Sequence, residues 1–256
     1  MLEQSSAFKH NSLLHLLSKL RLRSMTKRMW HIDKPKASLR AGNLQFDVNL
    51  ESPQVGLQNT TAYQQKLSHN QFIQLKMGLE KESVAEVYHR GDDLIALYHS
   101  DSQRQATPQL YWRMLEHRGA MGIETIISLQ TDLLDSRCPI HTSTKMANTL
   151  TAKALTQEGQ WEPPHSVLNA KAILVQLSSS ISYLEIVHPT DLMNTLVQDG
   201  TEAAIAWEHT VLDLQLEKGV IRRARLQSWW LHDDSELELT NELIDRFSES
   251  TPPLTT

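Results

Sequence analysis

At 256 residues with 40 % apolar composition, the chain can bury a sizeable core and is not composed like a disordered segment. Its formal charge of −5 is unevenly spread: residues 1–40 hold nine Lys/Arg (Lys9, Lys19, Arg21, Arg23, Lys27, Arg28, Lys34, Lys36, Arg40) against Glu3 and Asp33, a surplus of seven, which leaves the rest at −12. An acidic body repels phosphate backbones and argues against specific nucleic-acid binding; the single Cys138 excludes an intrachain disulfide, and no apolar run reaches the roughly 18 residues a membrane helix needs.

Residues 1–24 read as a basic extension. Leu13, Leu14, Leu16, Leu17 and Leu20 recur at helical spacing with Lys19, Arg21 and Arg23 close behind, the pattern of a short amphipathic helix that could meet an anionic surface or a partner helix. The plainer reading is a mobile terminus, or a start upstream of Met25, where domain-like sequence begins. Ser12–Leu22 runs into more charge rather than a small-residue cleavage site, so a soluble, cytoplasmic protein is expected.

Residues 25–256 read as one β-rich domain. Leu44, Phe46, Val48 and Leu50 alternate with Gln45, Asp47 and Asn49, which is a half-buried strand, and Phe72–Leu79 is a weaker one. VAEVYHR and LIALYHS flank Arg90-Gly91-Asp92-Asp93 as a hairpin over Val84–Tyr98, apolar enough to be covered on both faces. Ser100–Thr107 is a loop; Leu110–Leu115 and Ile123–Leu129 follow as strands, with Gly119 and Gly122 marking their turn. Asp135–Pro164 is loop-rich, with a short strand at His141–Lys145. Ile173–Leu177 and Tyr183–Val187 form a second hairpin across Ser178-Ser179-Ser180, and residues 189–202 suggest a short helical turn. A last, long hairpin joins Ala204–Leu216 to Val220–Leu231 through Glu217-Lys218-Gly219. Ser235 and Glu238 have capping-box spacing, and Leu239, Leu243, Ile244 and Phe247 then form one apolar helical face, with Asp234 and Glu236 at the positive pole. Of the adjacent Trp229 and Trp230, one should pack under this helix and the other could be exposed as a partner surface. Short strands without crossover helices predict an antiparallel β-sandwich with a C-terminal helix, and leave a barrel open.

No Gly-rich phosphate loop or nucleophile elbow occurs, and no motif calls for a cofactor. Asp135, Cys138 and His141 have partial metal-ligand spacing, but no second pair completes a site, so no metal is assigned. Trp112, or Tyr111 on the opposite strand face, beside Asp101, Arg104 and Arg113 would suit a sugar or other polar ligand: a ring packs on C–H groups while polar atoms orient hydroxyls. The plainer reading makes these aromatics core. Asp132, with His99 or His117, could form an acid–base pair if the strands bring them together. His99, Asp101, Arg104, Trp112, Arg113 and Asp132 are thus the candidate ligand-binding residues, and the catalytic residues stay unassigned.

Two stretches, VYHRGDDLIALYHSDSQRQATPQLYWR (Val87–Arg113) and LEKGVIRRARLQSWWL with the terminal FSESTPPLTT, resemble a family of planctomycete-type bacterial β-rich proteins with no assigned activity. The resemblance spans about residues 25–256, supports Met25 as the domain's start, and transfers no catalytic residue. The leading expectation is a non-catalytic β-sandwich that binds a protein partner or a polar small molecule. The alternative is a carbohydrate-active enzyme of the supersandwich type, similar to a sugar epimerase, which would need His and carboxylate groups paired on one sheet face.

Overall fold

The computed structural model describes residues 29–102, 104–199, 204–232 and 237–251. The basic extension 1–24 and the cap residues Asp234, Ser235 and Glu236 lie outside them. Among the described residues, twenty strands follow in chain order: β1 (Trp30–Asp33), β2 (Lys36–Ala41), β3 (Leu44–Asn49), β4 (Leu57–Ala62), β5 (Gln65–Lys66), β6 (Gln71–Lys76), β7 (Val84–Arg90), β8 (Asp93–Tyr98), β9 (Thr107–His117), β10 (Ala120–Gln130), β11 (Ser136–Arg137), β12 (Ile140–Ala147), β13 (Thr151–Leu155), β14 (Trp161–Glu162), β15 (Ala172–Gln176), β16 (Ile181–Val187), β17 (Asn194–Asp199), β18 (Ala204–Leu212), β19 (Gln215–Leu216) and β20 (Arg222–His232). One helix, α1 (Leu237–Ser248), ends the described chain.

Eighteen of the strands form two nine-stranded antiparallel sheets that pack as a sandwich, and β11 pairs with β19 as a separate two-stranded ribbon. The first runs β1-β2-β3-β4-β6-β12-β18-β17, with β5 beside β4; the second runs β14-β13-β15-β16-β20-β10-β9-β8-β7. Alternation decides what meets between them. Leu39, Phe46, Phe72, Trp207, Trp112, Tyr183 and Trp230 all turn inward and are almost fully buried. Their rings interlock: Phe72 lies 4.9 Å from Tyr183 and 5.2 Å from Trp230, and Tyr183 lies 5.3 Å from Trp230. Tyr63 ties the sheets at one end, its hydroxyl donating to Gly119 O at 2.6 Å.

The second sheet is covered on its other face too, so β10 is buried at ten of its eleven positions, Glu124, Thr125 and Ser128 included. Leu239, Leu243, Ile244 and Phe247 of α1 pack on Leu184, Ile186, Trp229 and Leu231. Arg225 holds the helix end by donating to Ser250 O (3.1 Å) and Thr251 O (3.3 Å), with its guanidinium 5.5 Å from the Phe247 ring centre. Cations at a helix C-terminus offset its exposed carbonyls.

The β7–β8 and β15–β16 hairpins match the local sequence pattern, as does the packing of α1. Longer-range pairing differs. Ala204–Leu216 and Val220–Leu231 do not form a hairpin: β18 pairs β12 and β17 in the first sheet, whereas β20 pairs β10 and β16 in the second. The turn at Glu217-Lys218-Gly219 therefore carries the chain across the sandwich. Residues 194–199 are the edge strand β17 rather than a helical turn, and the loop-rich Asp135–Pro164 contains the eight-residue β12. β7 is an edge strand with its far side open, so only β8 of that hairpin is buried on both faces. Trp230 is core, not exposed.

Gly122 sits inside β10 rather than at its turn. A Cβ there would stand 2.6 Å and 2.7 Å from the Trp229 ring, so the glycine lets the indole lie against the strand. Gly122→Ala should cost about 1–3 kcal/mol by overpacking, measured as a lower urea midpoint at unchanged m-value.

Candidate functional site

The two outer faces differ in kind. α1 covers part of the second sheet's; the first sheet presents a polar surface built by strand alternation. On β6, β12 and β18 the outward residues include Gln74, Lys76, His141, Ser143, Glu208 and Thr210, cross-strand neighbours in register. Lys76 ion-pairs with Glu208, His141 Nδ1 lies 3.6 Å from Glu208 Oε1, and the Thr210 hydroxyl lies 3.2 Å from the same ring nitrogen. These side chains stay accessible, His141 at 33 %, Glu208 at 29 % and Lys76 at 52 % exposure. Ser143 donates to Gln74 Oε1 (3.3 Å), whose amide donates to Gln54 O (3.0 Å). Farther across the face, Asp47 accepts from Ser38 (2.7 Å), Arg40 (2.9 Å) and Asn59 (2.7 Å). Burial raises the Asp47 carboxyl, but these three donors outweigh it and hold it below the usual range.

Backbone irregularity gathers on these same strands. Asn59 (φ 53) and Ile73 (φ 48) adopt left-handed backbone, which is costly for a β-branched residue such as Ile73. Pairing register shifts between Gln45 and Asp47 and again between Ser143 and Lys145. Such bulges re-aim side chains and are over-represented beside active sites.

Beneath the polar face lies a sealed network. Glu185, on the inner side of β16, accepts from Thr144 (2.7 Å), Tyr183 (2.7 Å) and Trp207 Nε1 (2.7 Å). His209 Nε2 stands 3.3 Å from its Oε1, and both side chains are wholly buried. The Thr195 hydroxyl donates to Ala170 O (2.9 Å), so the ring nitrogen Nδ1 of His209, 2.8 Å away, must donate to Thr195 Oγ1. Burial pushes the Glu185 carboxyl up, yet His209, Tyr183 and Thr144 outweigh that and hold it down.

The residues singled out from sequence fall in two places. His99, Asp101, Arg104 and Asp132 belong to one end of the second sheet, where Thr131 donates to Gln105 O (2.8 Å). Arg104 is buried there as an internal staple, ion-paired with Glu82 and donating to His99 O and Ala106 O. Arg113 lies six residues up β9, about 20 Å away at strand rise. It grips Asp93 through Nε (2.9 Å) and Nη2 (2.8 Å) and reaches Glu124 at 3.4 Å. Trp112 faces the core at 1 % exposure. Among the described residues no three His, Cys, Asp or Glu side chains gather as metal ligands; Cys138 is buried, with its thiol pushed up to about 11 by desolvation.

A cleft of about 200 Å³ flanks α1, lined by Leu115, His117, Gln227, Trp229, Leu243 and Arg246 among others. Its histidine is spent on structure: His117 bonds Glu242 (2.8 Å) and Arg246 (2.9 Å), pinning helix to strand. The polar face of the first sheet is the stronger candidate. Sequence reasoning noted His141 only as a metal ligand and passed over Glu185, although a lone carboxylate within ISYLEIV signals a buried polar node.

No protein-family model matches the chain, and no curated protein matches it significantly. Solved structures do. A protein from Escherichia coli K12, provisionally described as an aldose 1-epimerase, shares 9 % identity at a TM-score of 0.53, covering 76 % of this chain and 98 % of that one. Another of the same provisional description, from Klebsiella pneumoniae subsp. pneumoniae MGH 78578, shares 8 % identity at 0.55, covering 86 % and 87 %. At such identities the likeness establishes the β-sandwich fold.

Removing the His209 ring leaves the buried Glu185 carboxylate without the side chain that faces it. His209→Leu should therefore cost about 3–5 kcal/mol in urea unfolding. Glu185 titrates below its unfolded value, so its contribution is complete above about pH 4.3 and fades as pH falls through the folded pKa. Stability measured against pH should show a shallower acid limb in Glu185→Gln than in the parent.

Proposed function

We propose that the outer face of the first sheet binds a carbohydrate and that the chain is an epimerase-like, carbohydrate-active protein of the supersandwich type. The observation that carries this reading is the accessible pairing of His141 with Glu208 on an open sheet face. The fold's likeness to two proteins provisionally described as aldose 1-epimerases supports it. Anomer interconversion needs one base and one acid and no redox partner. The base takes the proton of the anomeric hydroxyl as the acid protonates the ring oxygen; the bond from anomeric carbon to ring oxygen breaks, leaving an open-chain aldehyde. Rotation and reclosure on the other face return both protons. Both oxygens sit on the same carbon, so an acid and a base side by side can serve them. Glu208 is the base in this scheme and His141 the acid, with Ser143, Gln74 and Thr210 offered to sugar hydroxyls.

One observation favours the non-catalytic alternative: Lys76 ion-pairs with Glu208, so that carboxylate already has a partner on the face. Mutarotation of α-glucose and α-galactose, followed by polarimetry beside saturation-transfer NMR, separates the two. Acceleration over the spontaneous rate that falls about 10²–10⁴-fold in Glu208→Gln and His141→Ala supports the enzyme. Saturable sugar binding without acceleration supports a binding protein. The absence of both overturns the carbohydrate reading.

A further inference from the structure

We propose that the buried node of Glu185, Thr144 and His209 positions the polar face above it, each of the two first-sheet residues locking chain neighbours that belong to the site. The proposal rests on reading that face as the functional site. Strand alternation supplies the mechanism, because successive side chains point to opposite faces. His209 lies between Glu208 and Thr210; its Nδ1 bonds Thr195 at 2.8 Å, and its Nε2 faces Glu185 Oε1 at 3.3 Å. Thr144 lies between Ser143 and Lys145 and donates to Glu185 at 2.7 Å. The same hydroxyl accepts the backbone N–H of Ile73 at 3.1 Å. Ile73 is the residue with left-handed backbone, and the next residue is Gln74, which meets Ser143 on the outer face. One carboxylate thus fixes three strands, β6, β12 and β18, at the points where they present Gln74, Ser143, Glu208 and Thr210.

The left-handed backbone at Ile73 strengthens the case. Such a conformation persists only where surrounding contacts over-determine it. Here the visible contact is the bond from the Ile73 N–H to Thr144, whose hydroxyl proton is committed to Glu185. Thr144, Glu185 and His209 are therefore positioning residues that never touch a ligand.

Thr144→Val keeps shape and removes the hydroxyl; Thr144→Ser keeps the hydroxyl. The readout is NMR titration of the His141 ring, with His117 on the second sheet as internal reference, and glucose titration in the same samples. Thr144→Val is expected to move the His141 midpoint by about 0.5 pH unit, roughly threefold in its protonation equilibrium, and to weaken any glucose binding about tenfold, with His117 unmoved and Thr144→Ser restoring both. An unmoved His141 in folded Thr144→Val overturns the proposal. Should that variant not fold, Thr195→Val, which removes the acceptor of His209 Nδ1, is measured in its place: a moved His141 supports the positioning role and an unmoved one overturns it. A His141 response without any sugar binding leaves the positioning intact and sinks the carbohydrate reading. Sugar binding with a silent His141 does the reverse.

Discussion

A wholly buried carboxylate sits between the two sheets of this sandwich. Glu185 is wholly buried, and an ion taken out of water at such a site costs several kcal/mol unless every lone pair is engaged. Thr144 and Trp207 answer from the first sheet, Tyr183 from its own strand, and His209 supplies the facing ring. Because Thr144 and Trp207 reach from β12 and β18 to a carboxylate on β16, the node ties the two sheets together at a defined point. Apolar packing brings them together without direction; the polar node sets where they stop. Around it the rings of Phe72, Tyr183, Trp207 and Trp230 fill the remaining space.

The node also divides the labour between the two outer faces. On the second sheet, charge is used for cohesion. Arg113 is divided between Asp93 and Glu124, Arg225 closes the end of α1, and His117 joins β9 to that helix. On the first sheet, His141, Glu208 and Lys76 stay accessible, and His141 and Glu208 are carried by strands whose inward residues Thr144, Trp207 and His209 meet Glu185. Precise polar placement on an open surface needs rigid support, and a buried, satisfied network provides it.

Part of the candidate site was visible in the sequence in the wrong company. His141 stood out for its spacing from Cys138, but the thiol is buried in the core while the imidazole stays accessible on the outer face. Trp112 and Arg113 are adjacent for the same reason that they never meet. Arg104, singled out as a candidate ligand-binding residue, is instead the buried partner of Glu82. In each case spacing along the chain was readable, while the side of the sheet and the identity of the neighbouring strand were not.

The amino-acid sequence by itself determined the local elements: period-two strands, the β7–β8 turn at Arg90-Gly91-Asp92-Asp93, the β15–β16 hairpin, and the apolar stripe of α1. These depend on contacts within a few residues, which propensity and turn chemistry encode. Only the tertiary structure decided that β18 and β20 part company into opposite sheets, and that Glu208, Lys76 and His141 converge from three strands. Those choices depend on which distant strands satisfy one another's hydrogen bonds and which buried charge must be met, and no local pattern records that.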